Sequence, residues 1–215
     1  MARRSRRRKE SGGGKGRWPD AQRLVRGAAR DLKKALDDLW PTRDHRAEPE
    51  RNLVFWVARR LSHKGFRPLF EVNFLGRKAS RLDLVAIKKG RGTAFVLLCE
   101  AKNLWNGSGA ANAAKDIKRL RKFGLGRHDL PRSRARCLLL LSVWREEVRD
   151  WWLQRPHRSP HPKRHAAHPG WRRLRWQIQR TGMHLSAVPG GEFEEEDGST
   201  TTRWVLIATW RRPRR

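Results

Sequence analysis

The chain has 215 residues, with 51 Lys and Arg against 21 Asp and Glu and a formal net charge of +30. That length holds one ordinary domain plus appendages, and that charge repels cationic surfaces and attracts polyanions, so nucleic acid is the leading partner. No apolar stretch reaches the length of a membrane span, and no long basic amphipathic helix with a strong apolar face argues for a membrane surface.

Residues 1–17 account for +7 of the charge and residues 211–215 for +4, which leaves +19 on the body. The abundance of Arg, Trp and Gly and the lack of Tyr fit an Arg-rich codon usage, yet the electrostatics are the same whatever the origin. Cys99 and Cys137 each sit inside an apolar, strand-like run and are expected to be buried thiols of a reducing compartment. The start, MARRSRRRKESGGGKGR, has charge without a following apolar region. It does not read as a secretory signal, and a cytoplasmic location is expected.

In chain order, residues 1–17 are basic, Gly-rich and expected to be disordered, able to add non-specific phosphate contacts. Leu24, Val25, Ala28, Leu32, Ala35, Leu36 and Leu39 recur at helical spacing and predict a helix from Pro19 to Trp40, closed by Pro41. A second helix is predicted from Pro49 to His63, with Gly65 after it and Leu53, Trp56, Val57 and Leu61 as its buried stripe. Glu50 lies in its first turn, where the helix dipole alone would favour a carboxylate. Leu69 to Leu75 alternates as a strand, with Glu71 and Asn73 as weak site candidates that would equally well face solvent.

The stretch Arg81–Lys102, RLDLVAIKKGRGTAFVLLCEAK, is the most informative. Two apolar runs flank the turn-forming KKGRG, a strand–turn–strand signal. A symmetric hairpin places Asp83 opposite Glu100, and Glu100 and Lys102, two apart, share a face that Val85, Ile87, Val96 and Leu98 continue as apolar surface. Opposed like charges destabilise a sheet, so a compensating group is expected. A divalent cation is the natural candidate; the alternative is a strand-end salt bridge from Lys102 to Glu100 or Asp83.

After the loop NLWNGSG, a helix is predicted over Ala110–Phe123, with Lys115, Lys118, Arg119, Arg121 and Lys122 over much of its surface. Ala135–Val143 is continuously apolar and reads as a strand buried on both faces. A helical crossover between it and the preceding strand makes the two parallel, while the first three strands form an antiparallel meander. Arg145–Gln154 is predicted to be a short helix. Arg155–Gly170, rich in Pro, His and Arg, is predicted to be irregular. His157, His161, His165 and His168 invite a metal reading, but Pro160 and Pro162 forbid the helix that would align them, and a solvated insertion fits better. Gly182–Val188 and Arg203–Trp210 read as two late strands joined by a solvated acidic loop, PGGEFEEEDGST. Trp105, Trp171 and Trp176 could stack on bases or pack in the core.

Three pieces of this pattern resemble the PD-(D/E)XK nuclease superfamily, over roughly residues 49–143. ERNLVFWVARRLSHKGF is similar to its glutamate-bearing first helix, RLDLVAI to the strand with the metal-binding aspartate, and CEAK to the E-x-K on the next strand. No Pro precedes Asp83, and Lys115 and Asp116 stand where some members carry Gln and Tyr. The resemblance implies an α/β, restriction-endonuclease-like core of order α-β-β-β-α-β, a mixed sheet flanked by helices. To it are added an extra N-terminal helix and a C-terminal β-hairpin. The corresponding division is a tail 1–17, core and helix 18–154, loop 155–170, extension 171–210 and tail 211–215.

The implied activity is Mg²⁺- or Mn²⁺-dependent hydrolysis of nucleic acid phosphodiesters, with DNA ahead of RNA and endonuclease action favoured. Asp83 and Glu100 would hold the metal with the backbone carbonyl of Ala101, and Lys102 would orient or help deprotonate the attacking water. Glu50 would support a second metal or its water shell, and Lys115, Arg119 and Lys122 would reach the phosphate backbone. The alternatives are a non-catalytic nucleic-acid-binding protein on the same fold and a basic structural protein assembling on RNA. Specificity supplied by a protein partner or a homodimer is left open.

Overall fold

The computed structural model describes residues 18–39, 50–74, 77–90, 93–123, 133–154, 159–162, 168–194 and 197–211. The expectations for the tails 1–17 and 212–215, for Trp40, Pro41, Pro49 and Gly76, and for His157 and His165 fall outside these residues.

The first helical pattern forms α1 (Ala21–Leu39), opened by Asp20, whose Oδ1 accepts from the Arg23 backbone N–H at 3.0 Å. Leu24, Val25, Ala28, Leu32 and Leu36 are buried along it. The second pattern forms α2 (Glu50–Ser62), where Leu53, Val54, Val57, Ala58 and Leu61 are buried and Trp56 is half-buried. Gly65, at φ 78°, supplies the left-handed turn that sends the chain into the sheet.

The strands are β1 (Arg67–Phe74), β2 (Arg77–Gly90) and β3 (Thr93–Asn103), which run as an antiparallel meander as their turns predict. A crossover through α3 (Gly107–Lys122) then leads to β4 (Ser133–Val143), parallel to β3. Cys137 to Leu141 of β4 are all buried, as a strand covered on both faces requires. After α4 (Glu146–Leu153) and α5 (Pro169–Thr181), β5 (His184–Glu194) and β6 (Thr200–Arg211) form an antiparallel hairpin, and β6 pairs with β4. The result is one mixed six-stranded sheet in the order β1-β2-β3-β4-β6-β5.

Two apolar layers sandwich this sheet. One joins α1 and α2 to Leu84, Ala86, Leu97, Cys99, Ala101, Leu138 and Leu140. The other joins α3, α4 and α5 to Val85, Val96, Leu98, Leu139 and Leu141. Cys99 and Cys137 are free and buried. No helix among the described residues is long and apolar enough to cross a membrane.

Three boundaries differ from the sequence expectation. α3 starts three residues early because the Asn106 side chain caps it, accepting from Gly109 N at 3.0 Å. α5 is a helix in a stretch expected to begin irregularly, capped by the His168 ring, with Pro169 at its first position and Gly182 left-handed after its end. The acidic segment is also not all loop. Strand pairing continues to Glu194↔Thr200, because a register shift between Pro189 and Gly191 absorbs the proline and returns Phe193 to the core.

Candidate active site

Strand alternation decides where the hairpin charges go. The β2–β3 ladder runs from Gly90↔Thr93 to Leu84↔Cys99 and ends there, with Asp83 and Glu100 the next residues on the two strands. Val96 and Leu98, on the Glu100 face, are buried in the layer under α3, and so is Val85 on the Asp83 face. The Glu100 side chain is therefore aimed at α3, and it is fully buried.

Asp83 is half-buried, and its Oδ2 accepts from the backbone N–H of Ala101 at 2.8 Å. That bond replaces a ladder hydrogen bond at the end of the hairpin and fixes the carboxylate beside β3. Lys102, two residues beyond Glu100, is half-buried on the same face of β3. The hairpin thus gathers Asp83, Glu100 and Lys102 at one end of the sheet.

Glu100 is met by α3. Arg119 Nε donates to its Oε1 at 2.7 Å, and Arg119 Nη2 lies 2.7 Å from Oε2, as an ion pair without hydrogen-bond alignment. The same Nη2 lies 2.9 Å from Oδ1 of the buried Asp116. Burial is the largest influence on Glu100 and pushes its carboxyl up to about 9, Asp83 and Asp116 adding to the rise and Arg119 opposing it. Burial alone would lower Arg119, but the hydrogen bond and charge of Glu100, with Asp116 and Asp83, outweigh it and raise its pKa. These shifts call for different charge states, a neutral acid on one side and an anion on the other. The two 2.7 Å approaches favour the ionised pair, since a guanidinium stays charged and holds a carboxylate at that distance.

The remaining candidates are distributed around this centre. Lys115 and Lys122 are exposed on α3, whereas Arg119 is half-buried and turned inward. α2 packs on the sheet face opposite to the Glu100 side chain; the side chain of Glu50 lies outside the described residues. Glu71 and Asn73 sit on the edge strand and are exposed, Glu71 3.4 Å from Arg51 and 3.8 Å from Arg81, and Asn73 accepting from Arg81 at 3.1 Å. Trp171 is core, while Trp105, two residues past the end of β3, and Trp176 are exposed. The His168 ring caps α5, its Nδ1 accepting from Gly170 N at 3.1 Å.

Asp116 is the group whose part in the site sequence reading missed. Its signal is periodicity: Ala113, Asp116, Ile117 and Leu120 lie on one helical stripe, which carries Asp116 into the core with its apolar neighbours. Arg119 follows at i+3, the spacing that lets the two meet.

Among the described residues no group of three or more His, Cys, Asp or Glu is placed to hold a metal ion. A smaller donor set still suits one kind of ion. Mg²⁺ binds through one or two carboxylates and keeps several waters, and Asp83 and Glu100 are two carboxylates close enough for Asp83 to raise the Glu100 pKa. Compared with protein-family models, with curated proteins and with solved structures, the chain matches none.

Proposed function

We propose that the chain is a metal-dependent nuclease that hydrolyses phosphodiester bonds of nucleic acid, DNA ahead of RNA and by endonuclease action, on a restriction-endonuclease-like core. What supports this reading is the placement of Asp83, Glu100 and Lys102 near one end of a β-hairpin in a chain of net charge +30. The order of one helix, three antiparallel strands, a helix and a parallel strand supports it.

Asp83 and Glu100, with the Ala101 carbonyl, would hold Mg²⁺ or Mn²⁺, and Glu50 would support a second ion or its water shell. The bound ion would supply a water of lowered pKa and neutralise charge on the phosphate. The chain's own groups do the rest. The Ala101 N–H holds one oxygen of Asp83 and so orients the other. Lys102 hydrogen-bonds and orients the attacking water, and its ammonium offsets the negative charge that builds on the phosphate. Lys115 and Lys122, exposed on α3, take the phosphate backbone on either side. Arg119 sets the resting state, keeping Glu100 ionised and in place when nothing else does.

A second reading follows from that clamp. With Arg119 satisfying Glu100, the trio is stable without a cation, and a nucleic-acid-binding protein that performs no hydrolysis fits the same contacts. Cleavage of plasmid and linear duplex in Mg²⁺ or Mn²⁺ separates the two. Nuclease action predicts cleavage that EDTA abolishes. It also predicts that Asp83→Ala and Glu100→Ala lower the rate by more than the roughly 100-fold that losing a ligand's supporting hydrogen bond costs at metal sites. If the purified protein cuts neither DNA nor RNA, binding without hydrolysis stands instead, and if both variants cut as well as wild type, Asp83 and Glu100 are not the site of hydrolysis.

A further inference from the structure

A groove of about 1330 Å³ lies on the α1–α2 side of the sheet, where the N-terminus of α1 meets the ends of β4, β5 and β6. Trp18, Arg23, Lys64, Arg136, His184 and Arg211 contribute to its walls. Its charge is unbalanced. Arg60, also at the wall, is neutralised by Asp31 through hydrogen bonds of 2.8 and 2.9 Å. Arg23, Lys64, Arg136 and Arg211 have no carboxylate partner among the described residues. The groove's own carboxylate, Asp20, caps α1 through the Arg23 backbone N–H.

The centre of the imbalance is a cross-strand pair. Arg136 of β4 stands directly opposite Arg211 of β6 in register. Like charges in that position repel, and partial burial followed by the charge of Arg211 lowers the Arg136 pKa. The Trp18 ring holds the Arg136 guanidinium at 5.1 Å, which positions the cation without neutralising it. The composition of the adjoining segments adds to the excess, since residues 1–17 carry eight Lys and Arg against one Glu and residues 212–215 carry three Arg. A fold that opposes two arginines in a groove lowers its own stability unless an anion joins them.

We propose that this groove binds the phosphate backbone of a nucleic acid segment distinct from the one presented to Asp83 and Glu100. Arg136 is level with Leu97 on β3, three residues from Glu100, or about 10 Å along the strand. The groove also opens on the sheet face opposite to the Glu100 side chain. A straight duplex lying against one face does not reach the other, so a second segment is required. The arginines supply paired donors that fit phosphate oxygens, and the N-terminus of α1 adds a favourable dipole. The inference rests on nucleic acid as partner and is independent of hydrolysis.

The test is fluorescence anisotropy with a labelled 30-base-pair DNA duplex in EDTA, over a series of salt concentrations. It compares wild type, Arg136→Gln/Arg211→Gln, and a charge-matched control, Arg26→Gln/Arg30→Gln, whose side chains are exposed outside the groove. Every phosphate that the protein ceases to neutralise lowers the slope of log affinity against log salt by about 0.9, so the groove variant should fall by nearly 2 and the control by much less. Its melting temperature should equal or exceed that of wild type, because the repulsion is gone. A groove variant whose slope matches wild type or the control overturns the proposal, as does failure of wild type to bind duplex at all. Cleavage by the same preparations in Mg²⁺ reports the nuclease reading separately, and its failure leaves the groove result standing.

Discussion

Glu100 is carried on a strand covered on both faces, and a carboxylate there costs free energy unless something offsets it. Arg119 is that offset, through two approaches of 2.7 Å. Removing one member of a buried ion pair strands the other, and typical losses are about 3–5 kcal/mol. Arg119→Gln should therefore destabilise the protein by about 3 kcal/mol near pH 8, read as a fall in the urea midpoint. The effect has a pH signature. Burial holds the folded Glu100 carboxyl above its ordinary 4.5, towards about 9, and the variant lacks the group that pulls it down. A raised pKa leaves stability intact below about 4.5 and removes it as pH climbs towards 9. The variant should thus lie close to wild type at pH 4.5 and far below it at pH 9. An equal deficit at both ends would show that Glu100 is not the source.

At the scale of elements, α3 and α5 pack with their backbones close together at Gly107 and Gly170. A Cβ added at Gly170 would lie 1.9 Å from the Gly107 carbonyl oxygen, a backbone atom that has no rotamer to yield. Gly170→Ala should cost about 3 kcal/mol, at the upper end of overpacking effects. Gly182→Ala meets nothing within 4 Å but must keep φ at 61°, and should cost only about 1 kcal/mol. Urea melts of the two variants check the order, and a milder effect at Gly170 would contradict the packing. The sequence announced most of these elements, but not all. The alternation of LDLVAI and TAFVLLCEA was enough for the hairpin register from Gly90↔Thr93 to Leu84↔Cys99, and LLLL for the parallel strand β4. α5 was hidden because its basic and aromatic residues, WRRLRWQIQR, place only Trp171, Leu174, Gln177 and Ile178 in the core. Its cap, its Pro169 and its Gly182 were legible signals amid a Pro- and His-rich run. The hairpin's true length was illegible for another reason: a bulge at Pro189–Gly191 breaks the period of two on which strand reading depends.

For the whole molecule, charge is the property that composition shows and topology distributes. A net +30 predicted a polyanion partner without a location. Location needed the sheet order, since Arg136 and Arg211 are far apart in sequence and become neighbours only because β6 pairs with β4. The candidate site was legible in Asp83, Glu100 and Lys102, whose spacing is local to one hairpin. Its Arg119 clamp was not, because a helix face presented to a strand is a tertiary fact, and Arg119 looked from sequence like one more cation for phosphate. The two readings of the protein part at this clamp: in one, a divalent cation is the working partner of Glu100, and in the other Arg119 is. Titration of Mn²⁺ followed by the electron paramagnetic resonance of the free ion decides between them, with wild type, Asp83→Asn and Glu100→Gln at neutral pH. The nuclease account predicts Mn²⁺ bound by wild type and loss of that binding in each variant, whereas a wild type that binds none, or variants that bind as wild type does, would contradict it.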